Sequence, residues 1–138
     1  LKNIPETENA LVLRTDFSDD ALWKAVCTAI REPVDGFLAY VDFLDDPEYD
    51  CVTAGQVVGA LPPDYEHTFI FIVDAVTLSG PDHPILVVDL LDEPGRTFRV
   101  IPSCAGSIEN NLSIANMGFE DFAESVDSDG VYRESRRC

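Results

Sequence analysis

Thr68-Phe-Ile-Phe-Ile-Val73 carries no charge and stops at Asp74. A short apolar run of aromatic and β-branched residues with polar flanks predicts a central strand covered on both faces. Upstream, Ala10-Leu-Val-Leu-Arg-Thr15 is a similar run ending at Asp16 and reads as another buried strand. A helix is expected to follow it. Ser18 is placed to cap that helix, with Asp19 and Asp20 in the first turn, where the dipole favours negative charge. Leu22, Trp23, Val26, Cys27 and Ile30 then fall on one helical face, and Pro33 and Gly36 close it.

The same pattern repeats before Thr68. Phe37–Phe43 predicts a strand, followed by the acidic loop Asp45-Asp-Pro-Glu-Tyr-Asp50. Thr53-Ala-Gly-Gln56 fits a capping box, in which hydroxyl and amide satisfy each other's free backbone groups. The helix it opens, through Val57, Val58 and Leu61, is stopped by Pro62-Pro63. Strand, helix, strand, helix, strand in this order implies right-handed crossovers and a parallel core.

After Asp74 the rhythm changes. Ala75–Pro84 reads as a turn of helix and a loop. Ile85–Leu91 and Thr97–Ile101 are strands, and the linker Asp92-Glu-Pro-Gly-Arg96 is short enough to make them an antiparallel hairpin. Ile108, Leu112 and Ala115 predict a helix capped by Ser107 and ended by Gly118 in the left-handed conformation. Phe119, Phe122, Ala123 and Val126 repeat the helical spacing, Asp127-Ser-Asp-Gly130 is a turn, and Val131-Tyr132 is a small edge strand. The expected fold is a single α/β domain over residues 10–133, with a flexible lead-in over 1–9 and a tail over 134–138. Its sheet is expected to be mixed, mainly parallel, of about five strands and flanked by helices.

With 138 residues and 46% hydrophobic content, the chain can build a real core, so its acidity is not a sign of disorder. No apolar run approaches the roughly 18 residues a membrane-spanning helix needs. The N-terminus lacks the charged-then-apolar plan of a signal peptide. It opens on Leu1 rather than Met, so the numbering is expected to begin inside a longer chain or after trimming. The four cysteines are scattered, without a C-x-x-C pair, and only two histidines are present. A zinc centre or a disulfide framework is therefore not expected, and reduced thiols in a cytoplasmic setting are. Cys138 is expected to be exposed and prone to adventitious dimer formation.

Four segments carry a likeness: Ala10-Leu-Val-Leu-Arg-Thr-Asp-Phe-Ser-Asp-Asp-Ala-Leu-Trp23, His83-Pro-Ile-Leu-Val-Val-Asp-Leu90, Gly95-Arg-Thr-Phe-Arg-Val-Ile-Pro102 and Glu109-Asn-Asn-Leu-Ser-Ile-Ala-Asn-Met-Gly-Phe-Glu-Asp-Phe122. Through them the chain resembles a family of small acidic proteins of unknown function, frequent in actinobacteria. The resemblance spans most of residues 10–133. It implies a compact bacterial cytoplasmic domain and brings no catalytic residue with it.

From Glu32 to Gly95 the chain runs 64 residues without a Lys or Arg while carrying fourteen carboxylates, and the whole chain has a net charge of −17. Such a surface repels nucleic acid and anionic membrane and attracts cations and basic proteins. The first expectation is accordingly an acidic protein-binding module, of the kind an immunity protein or antitoxin would be, covering the cationic cleft of a basic partner. Its contact residues are expected to be Asp45, Asp46, Glu48, Tyr49 and Asp50, with Asp19 and Asp20 nearby. An aromatic ring among carboxylates can anchor an interface while the charges steer the partner.

The alternative is a metal-dependent hydrolase or phosphotransfer-type enzyme. Asp16, Asp42 and Asp74 are each predicted near the carboxyl end of a parallel strand, the edge where ligands sit in open α/β sheets. Three converging carboxylates would suit Mg²⁺ or Mn²⁺, and otherwise no cofactor is expected. Neither phosphate-binding glycine motif is present, and Lys2 and Lys24 are the only lysines. Arg96 and Arg99 are expected to neutralise neighbouring acids. Cys104 is the best nucleophile, in Pro-Ser-Cys-Ala-Gly-Ser before a predicted helix, provided His67 or His83 approaches it; a plain loop cysteine is the blander reading. Asn110 and Asn111 could bind a ligand or, as we favour, pin a loop. Asp127-Ser-Asp-Gly130 lacks the full spacing of a calcium loop.

Overall fold

The computed structural model describes residues 1–134. The strands are β1 (Ala10–Arg14), β2 (Val41–Leu44), β3 (Phe69–Val73), β4 (Ile85–Asp89), β5 (Thr97–Val100) and β6 (Val131–Tyr132). The helices are α1 (Asp20–Arg31), α2 (Ala54–Gly59), α3 (Ala75–Ser79), α4 (Ala105–Ser113) and α5 (Phe119–Ala123). Pro47–Tyr49 and Pro102–Cys104 form short 3₁₀ turns.

One mixed sheet runs in the order β2-β1-β3-β4-β5-β6. β1 pairs in parallel with β2 and β3, as the crossover pattern requires. β4 is antiparallel to both its neighbours, and β5 pairs in parallel with the short β6. The sheet thus has six strands where about five were expected, and the reversal at β4 makes it mixed.

β3 shows why Thr68–Val73 reads as it does. Successive side chains point to opposite faces of a strand, and both faces of β3 are covered. Phe69, Phe71 and Val73 pack with Trp23, Val26, Ile30, Ile108 and Phe122. Ile70 and Ile72 pack on the other side with Ile4, Leu11, Leu13, Tyr49 and Val57. Each such side chain taken fully from water contributes about 1.5–3 kcal/mol.

Several local expectations change. Residues 1–9 are not a loose lead-in. Ile4 is buried, its N–H donates to the Ala60 carbonyl at 2.9 Å, and the Tyr49 hydroxyl donates to the Asn3 carbonyl at 2.8 Å. β2 begins at Val41 rather than Phe37, because Val34 and Phe37 exchange backbone hydrogen bonds of 3.0 and 2.9 Å around a turn. That turn needs two left-handed residues, Asp35 at φ 51° and Gly36 at φ 80°. The cap of α1 is Asp19, whose carboxylate accepts from the Leu22 N–H at 3.0 Å, while Ser18 donates to Asp16. α4 ends through Ala115 at φ 55°, not through Gly118, which is extended and precedes α5. The capping box at Thr53 and Gln56 forms as the sequence predicts.

Candidate functional site

At the carboxyl end of β1 stands Arg14, which sequence reasoning passed over. Only 3% of its side chain is exposed. Its guanidinium lies 4.4 Å from the Phe17 ring centre and 5.4 Å from that of Trp23. It donates to the Asp16 carbonyl at 2.9 Å, to Asp20 at 2.7 Å and to Asp45 at 3.2 Å. Burial alone would make Arg14 give up its proton more readily, but the two carboxylates outweigh burial and raise its pKa. The signal was legible in principle: an arginine closing an apolar strand must find carboxylates or be left uncompensated.

The carboxylate trio does not assemble. Asp42 stands level with Leu11 in the β1–β2 register, because β2 starts late. Asp16 lies five residues further along the β1 direction, about 16 Å at strand rise. Asp42 instead accepts the Asn9 N–H at 2.9 Å. Asp74 does stand past the end of β3, but both its oxygens are taken by Arg99, at 2.9 and 2.8 Å, and it caps α3 through Thr77. Burial pushes the Asp74 carboxyl up, yet Arg99 and Thr77 together hold it below its ordinary value. Among the described residues no group of three or more His, Cys, Asp or Glu is placed to hold a metal ion.

The acidic loop is also built differently from its expectation. Tyr49 is fully buried, so it anchors the N-terminal segment and not a partner. Asp46 pairs with Lys2 and caps the following 3₁₀ turn through the Glu48 N–H at 3.0 Å. The Lys2 bond lowers the Asp46 pKa and raises that of Lys2. Asp45 and Asp20 face Arg14, and Asp19 caps α1. Glu48 and Asp50 are the exposed remainder. Cations distant in sequence thus reach the acid-rich stretch, and Arg96 and Arg99 neutralise Glu93 and Asp74 as expected.

Exposed carboxylates stand at both edges of the sheet rather than in one lobe. Asp20, Asp45, Glu48 and Asp50 lie past the ends of β1 and β2. Glu8, Asp64 and Glu66 precede β1 and β3, and the Phe69–Asp89 register brings the β4–β5 turn with Asp92 and Glu93 to that same edge.

Cys104 is no nucleophile. It is buried and disulfide-bonded where a reduced thiol was expected. Neither histidine serves it: His67 donates to the Thr7 carbonyl at 2.7 Å and His83 to that of Thr77 at 3.0 Å. Cys27 is core, as expected, and burial pushes its thiol up to about 11. Cys138 lies outside the described residues.

A cavity of about 600 Å³ lies between α4 and the segment joining α1 to β2. Its wall includes Ile30, Val34, Phe37, Ile114, Met117 and Tyr132, with Glu32, Asp35 and Glu134 among the polar residues. Phe37 is 60% exposed and Ile114 74%, and Leu38 and Tyr40 continue the apolar surface at 41% and 59%. Buried Glu109 fixes this segment: it accepts the Tyr40 N–H at 2.8 Å, the Asn110 amide at 2.9 Å and the Ser113 hydroxyl at 2.6 Å. The Asn110 amide also donates to the Leu38 carbonyl at 2.8 Å. Asn110 therefore pins a loop, although the one before β2, while Asn111 binds Ser107 and Asn116 within its own neighbourhood.

No helix of the described residues is long and apolar enough to cross a membrane. Comparison with curated proteins gave no match. A family model does match, over residues 9–135, a span that takes in the six strands, the five helices and the cavity of the described residues. The chain belongs to that family, the domain of unknown function DUF6924.

Proposed function

We propose that this domain is an acidic module that binds a basic protein, with a stoichiometric, immunity- or antitoxin-like inhibitor as the sharpest form of the reading. One observation carries it: the Arg14 guanidinium is drawn inward while its carboxylate partners stay out. The Arg14 side chain is 3% exposed against 79% for Asp20 and 49% for Asp45. What a partner meets is therefore more negative than ion-pair counting along the sequence suggests. The net charge of −17 supplies long-range steering of a cationic partner, screened within about 10 Å at 0.1 M salt. The loop around Asp46 is not the anchor in this reading, since Tyr49 faces inward.

Among the described residues, Asp16, Asp42 and Asp74 form no converging ligand set for the metal-dependent alternative. Affinity capture from a cell extract at low salt tests the proposal. A single basic protein held at equal stoichiometry and released by salt is the expected result. A diffuse set of cationic proteins with no stoichiometric member would refute it.

A further inference from the structure

We infer that a small cavity, between Glu109 of α4 and the sheet edge where β1 and β3 begin, receives one lysine side chain of the basic partner. This rests on the reading of the domain as a binder of basic proteins and names the side chain that the partner inserts. The cavity holds about 280 Å³ and is lined by Glu8 and Asn9 before β1, Tyr40 before β2, Thr68 and Phe69 where β3 begins, and Glu109. Small-molecule pockets run from roughly 300 to 1,000 Å³, so this one suits a single side chain. It stands at the opposite edge of the sheet from the last described strand. Tyr132 pairs with Val100, Val100 with Ile85 and Leu86 with Ile72, so β6 is level with the end of β3, and Glu134 borders the other cavity.

Glu109 is 4% exposed, and among the described residues no Lys or Arg pairs with it. A buried carboxylate without a counter-charge is unfavourable. Three neutral donors meet part of its need: the Tyr40 N–H and the Asn110 amide on Oε1, and the Ser113 hydroxyl on Oε2. Each carboxylate oxygen offers two acceptor positions, so Oε1 is full and Oε2 keeps one. A single open position accepts from an ammonium but cannot take the two-pronged fork of a guanidinium, which selects lysine over arginine. An ammonium has three N–H groups to place. The side chains of Glu8, Asn9 and Thr68 line the same cavity and make no hydrogen bond among the described residues, so their oxygens are open to the other two. His67 also borders the cavity and donates to the Thr7 carbonyl rather than to Glu109. Tyr40 and Phe69 supply apolar wall for the methylene stem.

NMR titration at low salt with Nα-acetyl-lysine methylamide tests the inference, alongside its Nε-acetylated form and the arginine analogue. The lysine probe is expected to shift the Thr68, Glu109 and Ser113 amides and to bind about tenfold tighter than either control. Glu109→Gln and Glu8→Gln should each remove most of that preference. Glu8 is exposed and its side chain unbonded, so an unchanged urea midpoint in Glu8→Gln will show that the fold is intact. Equal binding of the three probes, or shifts confined to exposed carboxylates such as Glu48 and Asp50, overturns the assignment. Low-salt capture of a basic protein separates this from the reading beneath it. A protein captured alike by wild type and both variants leaves that reading standing and overturns the cavity. A lysine probe that binds while no basic protein is captured makes the occupant a free amine and overturns the partner's lysine; if neither binds, both readings fall.

Discussion

Asp74→Asn should lower stability by about 2 kcal/mol at neutral pH and lose that effect in acid. The Asp74 carboxylate takes two bonds from Arg99, of 2.9 and 2.8 Å, and caps α3 by accepting the Thr77 N–H at 3.1 Å. An asparagine keeps one acceptor oxygen, so the cap survives, while the negative charge and one guanidinium bond go. The two side chains are only 24% and 20% exposed, so solvent screening discounts the loss modestly. Asp74→Ala removes the cap as well and should cost about 1 kcal/mol more. For a domain of this size each kcal/mol corresponds to roughly 3–4 °C in Tm. The pH dependence follows from the sign of the shift. The folded-state pKa of Asp74 is lowered, so its stabilisation is complete above the unfolded value of about 4 and disappears as pH falls through the folded one. Urea unfolding of wild type and Asp74→Asn between pH 7 and about 2 measures the difference directly. Asp46 and Asp129 are also lowered, but they titrate alike in both proteins and cancel in the comparison. Equal midpoints at pH 7, or a gap that persists undiminished at the lowest pH, would refute the reasoning.

Arg14→Ala should cost about 3 kcal/mol in urea unfolding, because it empties a buried site between Phe17 and Trp23 and strips Asp20 and Asp45 of their partner; Arg14→Met, which keeps the packing, should cost less. Glu109→Ala removes the acceptor for three donors, so amide exchange at Tyr40 should accelerate at least tenfold while β3 amides keep their protection; unchanged exchange at Tyr40 would mean the segment is held otherwise. Thiol titration at pH 8 should modify exposed Cys51 in the native protein, reach Cys27 only on unfolding and require reductant for Cys104; immediate labelling of Cys104 would contradict its disulfide.

The elements the sequence named correctly are those whose signal is local. Thr53 and Gln56 lie three residues apart and form their box wherever the helix lies. The face of α1 with Trp23, Val26, Cys27 and Ile30 is read from its own spacing, and all four are buried. Boundaries failed where a turn intervened: Asp35 in the left-handed region delays β2 and carries Asp42 from the expected end of its strand to its beginning. That shift takes Asp42 out of the metal trio, and Arg99 separately occupies both oxygens of Asp74. The acidic loop failed for another reason. Nothing in Asp-Asp-Pro-Glu-Tyr-Asp tells whether Tyr49 faces solvent or core, because the answer lies with Asn3 and Ile4 packed against it.

Two-sided burial of β3, the strand–helix succession around it and the surplus of carboxylates were settled by the amino-acid order alone, since periodicity and net charge are properties of neighbours and of sums. Which carboxylate meets which cation was decided by the tertiary structure. Arg14 reaches Asp45 across 31 positions and Arg99 reaches Asp74 across 25, and only strand register and crossovers bring such residues within hydrogen-bond reach. The cavity beside Phe37 has the same origin: its walls come from the α1–β2 segment and from α4, nearly seventy positions apart at Tyr40 and Glu109, and no local pattern foretells a hollow between them.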